Sequence, residues 1–165
     1  MLRVGLRIAI VTLLLDQLSK WVLLFVVKMP DKGLIELTPN LNLRMVWNRG
    51  VSFGMFSADS ESGRYSLIAF ALVVVGLLLI WLVRAKTRLL AWAIGLVVGG
   101  AIGNVIDRVF YGAVADFFDV HALGYHFYTF NLADTAISLG VVLLIFEALF
   151  ASEDVTGKKK ATHKT

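Results

Sequence analysis

Four long stretches of the chain are dominated by apolar residues. They run from about Val4 to Val27, from Ser66 to Val83, from Leu89 to Ile106 and from Leu132 to Phe150. A helix needs about 20 mainly apolar residues to cross the hydrocarbon core of a bilayer, and each stretch approaches that length. The pattern therefore predicts a mainly α membrane protein built as a four-transmembrane-helix bundle.

The two longer connections, about 28–65 and 107–131, carry strand patterns as well as polar residues. Leu41 to Trp47 alternate apolar and polar side chains for most of their length, which is typical of a half-buried strand. Phe117-Phe118 and Tyr125 to Phe130 are rich in aromatic residues and suit either strands or anchors at the membrane interface. We expect a small extracytoplasmic β-rich subdomain lying on the bilayer.

Composition strengthens the membrane assignment and removes several kinds of site. The 165 residues are 58% hydrophobic, and their mean hydropathy is +0.78. The chain has 0 cysteines, so it has no disulfide framework, thiol nucleophile or cysteine-bound metal. The 3 histidines include no His-x-x-x-His pair, so we expect neither a metal nor another cofactor.

Basic residues indicate how the chain is oriented. A formal charge of +4 and a pI of about 9.5 alone are compatible with nucleic-acid binding. However, the cations cluster at Arg3 and Arg7, in the link 84–88 and in the tail, where the positive-inside rule places cytoplasmic segments. We therefore expect no nucleic-acid partner, both termini in the cytoplasm and outward-facing long connections. Residues 1–152 form one membrane-embedded domain in this interpretation, and residues 153–165 a disordered basic cytoplasmic tail.

Asp116 and Asp134 are the main candidates for chemistry. A carboxylate held at a membrane boundary is costly and is therefore a functional candidate. Two close carboxylates share a proton, so that one takes a proton from water while the other donates a hydrogen bond to a scissile carbonyl. Plain capping of the fourth helix by Asn131 and Asp134 competes with this interpretation. Because a helix N-terminus favours an anion, we expect Asp134 to be ionised and Asp116 to hold the proton.

Polar and small residues also occur inside the spans. Asp16 and Lys20 are four residues apart and share a helix face. Unpaired, each would cost at least ~2.5 kcal/mol at a helix centre, so we expect both to face the bundle interior, either as a structural ion pair or in a catalytic role. A stripe of small residues suited to close helix packing recurs every four positions at Gly95, Gly99 and Gly103.

Two further groups of polar residues lie near the outer ends of the spans. Asn48 and Gly50 combine an amide with a glycine that permits close backbone approach, which is more often a turn than a site. Asn104 and Arg108 share a helix face, and Arg108 is suited to orient a carboxylate or a substrate carbonyl. A surface pair between Asp107 and Arg108 is the simpler alternative.

Five segments together resemble, in order, the motifs of the lipoprotein signal peptidase family, also called signal peptidase II. They span almost the whole chain. The family often has two alanines where this chain has Val51-Ser52, a minor departure. The segments are Asp16-Gln17-Leu18-Ser19-Lys20, Asn48-Arg49-Gly50-Val51-Ser52-Phe53-Gly54, Gly99-Gly100-Ala101-Ile102-Gly103-Asn104-Val105-Ile106-Asp107-Arg108, Val114-Ala115-Asp116-Phe117 and Phe130-Asn131-Leu132-Ala133-Asp134.

The resemblance implies a metal-independent aspartic endopeptidase of the bacterial inner membrane. Such enzymes remove the signal peptide of prolipoproteins whose lipobox cysteine carries a diacylglyceryl group, and they cut just before that cysteine. The implied catalytic dyad is Asp116 and Asp134, and the implied partners are these prolipoproteins and the lipid bilayer, with the enzyme a monomer. The residues implied to orient or support the site are Asn104, Arg108, Asn131, Asp16, Lys20, Asn48, Gly50 and Ala133.

Two alternatives come from other classes of protein. A proton- or ion-coupled carrier would use intramembrane acids and bases as a relay, here Asp16, Lys20, Asp107 and Asp134. Against it, the clearest acids gather at one face, and four spans without an inverted repeat suit a transporter poorly. A structural assembly subunit is suggested only by the glycine stripe, and it leaves the two outer aspartates unexplained.

Overall fold

The computed structural model describes residues 1–50, 61–122 and 125–161, with side chains as far as Phe150. Within these residues, 4 helices are long and apolar enough to cross a membrane: Leu2–Val26, Glu61–Val83, Arg88–Tyr111 and Leu132–Phe150. The four predicted spans and the mainly helical fold class are therefore confirmed.

The strands occur as two consecutive pairs, one in each long connection, so the sheet is assembled from both connections. The first span consists of an α-helix followed by a π-helical turn, and a short helix then precedes the first hairpin. In chain order the elements are α1 (Leu2–Trp21), the π turn (Val22–Val26), α2 (Met29–Lys32), β1 (Leu34–Thr38), β2 (Leu41–Asn48), α3 (Glu61–Val83), α4 (Arg88–Tyr111), β3 (Val114–Ala122), β4 (Tyr125–Phe130) and α5 (Leu132–Ala161).

Helix α4 is the centre of the bundle, with α1, α3 and α5 packed around it. Its glycines permit this close packing. A Cβ added at Gly95 would lie 2.5 Å from the carbonyl oxygen of Gly5, and one at Gly99 would lie 2.5 Å from that of Ala9. On the side of α4 that faces α5, a Cβ at Gly100 would lie 2.6 Å from the carbonyl oxygen of Ala133. The predicted packing stripe therefore allows the α1 backbone to approach closely.

The four strands form one antiparallel sheet in the order β1-β2-β3-β4. Strand β2 covers the segment with the alternating pattern, and both aromatic segments are strands. Beneath the sheet, Met29, Ala115 and Phe117 form a small core with Leu24 at the end of the first span. This core holds β3 against the top of the bundle, and it confirms the predicted β-rich subdomain.

Several helices extend beyond their predicted limits. Helix α4 continues past Ile106 to Tyr111 and ends where Gly112 adopts a φ of +75° and donates its N–H to the Arg108 carbonyl. Helix α3 begins at Glu61 rather than Ser66. Hydropathy reports where apolar residues stop, whereas a helix stops only where the backbone must change conformation.

The last helix also continues beyond its predicted end and into the tail. The backbone of α5 stays helical as far as Ala161, whereas the sequence predicted disorder from residue 153. A helix that is already formed adds each further residue at little cost, and this segment contains the good helix formers Lys and Ala.

The basic segments and the acidic residues of the candidate site lie at opposite ends of the bundle. At one end, Gly5 of α1 lies against Leu82 and Ala91, and Thr87 donates a 2.6 Å hydrogen bond to Glu147 of α5. The amino end of α1, the α3–α4 link and the last membrane turns of α5 therefore lie together. The sheet lies at the opposite end.

Candidate active site

Asp116 lies on β3 in the middle of the sheet, opposite Val46 of β2. The residue is 1% exposed. Its carboxyl group accepts two amide hydrogen bonds, from Asn131 Nδ2 to Oδ1 at 2.7 Å and from Asn48 Nδ2 to Oδ2 at 3.1 Å. The Gly50 N–H donates to Asn48 Oδ1 at 3.1 Å, which fixes the orientation of that amide. The rest of this motif, residues 51–54, lies outside the described residues.

Asp134 lies in the first turn of α5 and forms a reciprocal cap with Asn131. The Asp134 N–H donates to Asn131 Oδ1 at 2.9 Å, and the Asn131 N–H donates to Asp134 Oδ2 at 3.2 Å. This arrangement resembles a capping box. The other oxygen of Asp134 accepts a 2.8 Å hydrogen bond from Asn104 Nδ2. The capping interpretation is therefore correct, but the same carboxylate also belongs to the polar site.

Two asparagine side chains connect the candidate dyad. Asn131 Nδ2 donates both to Asp116 and, at 3.2 Å, to Asn104 Oδ1, while Asn104 Nδ2 donates to Asp134. All four carboxylate oxygens of Asp116 and Asp134 thus accept hydrogen bonds from positioned N–H groups. Asn48 of β2 orients Asp116, Asn104 of α4 orients Asp134, and Asn131 at the start of α5 bonds to both acids.

The environment of Asp116 disfavours its charged form. Burial, and then the negative charge of Asp134, raise the pKa of Asp116 from 3.8 to about 7, against the opposing effect of the hydrogen bonds from Asn48 and Asn131. Desolvation penalises a carboxylate more than the neutral acid, and a neighbouring anion adds to that penalty. Asp116 is therefore the member of the pair that is suited to hold a proton near neutral pH.

Lys20 of α1 contacts the site from the interior of the helix bundle. Its ammonium group lies 2.8 Å from Asp16 Oδ2 and 2.8 Å from Asp107 Oδ2, and it donates to Asn104 Oδ1 at 3.2 Å. The remaining oxygen of Asp16 accepts the Ala133 N–H at 3.0 Å. The predicted Asp16–Lys20 pair therefore faces the bundle interior and connects α1 to the start of α5.

Asp107 was not predicted as a site residue, and its suggested surface pair with Arg108 is wrong. Its side chain is fully buried and contacts Lys20 instead. Gln17 Nε2 donates to Asp107 Oδ1 at 3.1 Å, and the Ala115 N–H donates to Oδ2 at 3.1 Å, so Asp107 also positions the strand that carries Asp116. Its spacing places it on the same helix face as Asn104, three positions earlier, but spacing alone does not identify Lys20 as its partner.

Arg108 and Tyr128 border the open side of the site. The half-buried Arg108 donates to the Asn104 carbonyl at 3.4 Å, and its charge interacts with Asp134 and Asp116. Its buried Nε has no hydrogen-bond partner within the part of the chain that the structure describes. Burial, followed by the charges of Asp134 and Asp116, raises the pKa of Tyr128. A cavity of about 490 Å³ runs from Tyr128 past Asp134 along α5 to Val142.

The site residues proposed from the sequence therefore gather in one place. The amides, carboxylates and cations of α1, α4, β2, β3 and α5 form one connected set of hydrogen bonds at the sheet end of the bundle. In residues 1–50, 61–122 and 125–150, no group of three or more His, Cys, Asp or Glu side chains is arranged to hold a metal ion.

Comparison with known proteins identifies the family. A family model described as Signal peptidase (SPase) II matches residues 8–150. The chain belongs to the signal peptidase II family. It is 45% identical over 147 residues to a lipoprotein signal peptidase of Methylobacterium sp. (strain 4-46), covering 89% of each chain. It is 46% identical over 151 residues to that of Nitrobacter hamburgensis, covering 89% of this chain and 92% of the relative.

Two solved structures of bacterial membrane enzymes share the fold of this chain. A bacterial membrane enzyme determined by the in meso method superposes with a TM-score of 0.77 at 29% sequence identity, covering 91% of this chain and 90% of that chain. A second structure with the same description has a TM-score of 0.74 at 30% identity, covering 88% and 92%. The chain is therefore a peptidase of a bacterial membrane with the fold of these enzymes.

Proposed function

We propose that the protein is an aspartic endopeptidase that removes signal peptides from diacylglyceryl-modified prolipoproteins, cutting before the lipidated cysteine. The relatives named lipoprotein signal peptidase support the substrate class. One observation carries the mechanism: Asp116 and Asp134 are joined through Asn131 and Asn104 in one hydrogen-bonded site. This arrangement suits two acids that share a proton and act on one water molecule.

The two acids have different environments, which assigns their roles. Asp116 is buried, and its pKa is raised to about 7, so it holds the shared proton in the free enzyme. Asp134 lies in the first turn of α5, where the helix dipole and the Asn131 N–H favour its anion.

Catalysis then follows without a covalent intermediate. The Asp134 carboxylate takes a proton from water as the water oxygen attacks the scissile carbonyl carbon, and the Asp116 carboxyl group donates its proton to the carbonyl oxygen. In the resulting tetrahedral diol, Asp134 returns its proton to the peptide nitrogen as the C–N bond breaks. Asp116 recovers a proton from the hydroxyl group that becomes the new carbonyl. The dyad ends in its starting protonation state.

Arg108 is suited to bind the substrate backbone. Its guanidinium already interacts with Asp134 and Asp116, and its Nε is buried without a partner among the described residues. A buried donor without a partner is costly, and a substrate carbonyl oxygen would satisfy it. We therefore propose that Arg108 orients the substrate near the scissile bond.

The site lies where a membrane-bound substrate would leave the bilayer. Arg3, Arg7 and the basic link 84–88 lie at the opposite end of the bundle from Asp116. The positive-inside rule assigns that basic end to the cytoplasm. The dyad then faces the outer surface of the bacterial inner membrane, with both termini cytoplasmic. The cavity beside Asp134 continues down α5 past Leu139 to Val142, an apolar path suited to a substrate that remains partly in lipid.

The buried ion pairs argue against the carrier interpretation. Lys20 forms ion pairs with both Asp16 and Asp107. Asp16 also accepts the Ala133 N–H, and Asp107 accepts the Ala115 N–H. These groups are satisfied within the protein and hold helices and strands together. A relay instead requires groups that exchange protons with a path across the membrane.

A processing assay in liposomes separates these functions. The purified protein is given two synthetic prolipopeptides that differ only in the diacylglyceryl group on the lipobox cysteine. We expect cleavage before the cysteine of the lipidated peptide and much slower cleavage of the other. Proton or cation flux through the same liposomes without cleavage would favour the carrier, and equal cleavage of both peptides would refute the proposed lipid requirement.

A further inference from the structure

A second cleft lies at the end of the bundle away from the dyad. It has a volume of about 360 Å³ and is formed where the end of α3, the α3–α4 link, the start of α4 and the last membrane turns of α5 meet. Its walls are mostly apolar and include Trp81, Leu90, Leu144 and Ala148. Trp81 is 46% exposed, so the cleft opens toward the region that lipid occupies around the bundle.

The rim of this cleft carries more positive than negative charge. Arg84 and Lys86 line it, as does one carboxylate, Glu147. That carboxylate accepts a 2.6 Å hydrogen bond from Thr87 Oγ1. Neither Arg84 nor Lys86 forms an ion pair with any side chain in residues 1–50, 61–122 and 125–150. Two exposed cations therefore remain available above an apolar cleft at the membrane boundary.

We propose that this cleft binds one anionic phospholipid. Its phosphate would lie between Arg84 and Lys86, and an acyl chain would lie against Trp81 and Leu144. Basic pockets between membrane helices on the cytoplasmic side are suited to lipid headgroups. A free phosphate or a headgroup alone would leave the apolar walls uncovered, so the occupant is a lipid rather than a soluble anion.

A lipid in this position would also support the most loosely held helix. Only Val75 and Leu82 of α3 are buried, and α3 packs mainly on α4. The cleft has α3 on one side and α5 on the other, so a bound lipid would contact both. The inference does not depend on the peptidase chemistry, because the cleft contains none of the residues placed in the active site.

Native mass spectrometry of the detergent-purified full chain tests the proposal. Phosphatidylglycerol and phosphatidylcholine with identical acyl chains are titrated against the wild type and Arg84→Gln/Lys86→Gln. Arg3→Gln is the matched control, because Arg3 is a cation at the same end of the bundle that does not line the cleft. Each lysine or arginine near a membrane surface contributes about fivefold to anionic-lipid affinity.

We expect the wild type and Arg3→Gln to retain one phosphatidylglycerol in preference to phosphatidylcholine, and the double variant to bind it roughly 30-fold more weakly. Glu147→Gln, which removes the competing negative charge, should bind it about fivefold more tightly. Glycerophosphoglycerol, the headgroup without acyl chains, should not displace the lipid. Any of three results would overturn the proposal. The wild type could retain both lipids equally, the Arg3→Gln control could lose as much phosphatidylglycerol affinity as the double variant, or the free headgroup could displace the lipid.

Discussion

Removing the Lys20 ammonium group should destabilise the protein strongly, because this one cation neutralises two buried acids. Its nitrogen lies 2.8 Å from carboxylate oxygens of both Asp16 and Asp107, and the three side chains are 3%, 0% and 0% exposed. The substitution Lys20→Met keeps an unbranched apolar stem of similar length and deletes only the charge. It leaves two carboxylates in the bundle interior without their shared partner.

The expected magnitude follows from the partners that remain. Removing one member of a buried ion pair costs about 3–5 kcal/mol. Asp16 would keep the Ala133 N–H at 3.0 Å, and Asp107 would keep the Ala115 N–H at 3.1 Å, so the loss should not double. We expect about 4 kcal/mol, and because each 1 kcal/mol shifts the melting temperature of a chain of this size by about 2–4 °C, a decrease of roughly 10 °C.

Thermal unfolding in one detergent, followed by tryptophan fluorescence, measures this effect. Lys32→Met is the matched control, because Lys32 is exposed at the end of α2 and its loss should leave the melting temperature unchanged. The double variant Lys20→Met/Asp107→Asn should recover part of the loss, because one uncompensated acid is removed. A melting temperature for Lys20→Met within about 2 °C of the control would refute this account of the buried ion pairs.

Three further predictions address the dyad and the helix packing. Because the pKa of Asp116 is raised from 3.8 to about 7, the folded state binds a proton that the unfolded state has released between these pH values. Stability should therefore fall as pH rises through this window. Melting temperatures at pH 5 and 8 should show a smaller decline for Asp116→Asn, and wild-type kcat/KM should decrease above about pH 7. Gly103→Ala places a Cβ against the Asp16 carboxylate, whereas a Cβ at Gly76 meets nothing within 4 Å. In a melting experiment, Gly103→Ala should lower the stability by about 1–3 kcal/mol, and the control Gly76→Ala should be neutral or slightly stabilising. Equal changes in stability for the two variants would contradict the packing. Asn131→Ala removes the helix cap and the 2.7 Å hydrogen bond to Asp116. Stability should fall by about 1 kcal/mol, and kcat should fall by roughly 10- to 100-fold. An unchanged kcat in a peptide-cleavage assay would mean that Asn131 does not orient Asp116.

Much of the architecture was predictable because it depends on short-range spacing. A four-residue separation placed Asp16 and Lys20 on one helix face, and the glycine stripe predicted a smooth face on α4. The alternation in Leu41 to Trp47 predicted β2. In each case the partner of a residue lies one helical turn away, or the face it occupies follows from strand geometry alone, so no knowledge of tertiary packing was required.

Other features could not be read from spacing because their partners are distant in sequence. Asp107 follows the last apolar turn of the third span, where a charge usually marks the membrane surface. Only the folded arrangement brings it to Lys20 and to the backbone of Ala115. The link between Asp116 and Asp134 likewise runs through Asn104 and Asn131, whose amides serve as caps or surface groups in many proteins. The end of α4 is a different case, because its signal is local: Gly112 directly follows Tyr111 and ends the helix, a position that hydropathy does not mark.

The most direct test of the proposed aspartic mechanism is cleavage of a diacylated prolipopeptide by the purified protein in detergent with EDTA present. The wild type is compared with Asp116→Asn and Asp134→Asn, each first shown to be folded by its melting transition. We expect the wild type to cleave the peptide just before the lipidated cysteine in the presence of EDTA, and we expect both variants to lose this activity. Cleavage that persists in either folded variant, or that is abolished by EDTA in the wild type, would contradict the assignment of these two acids as a metal-independent dyad.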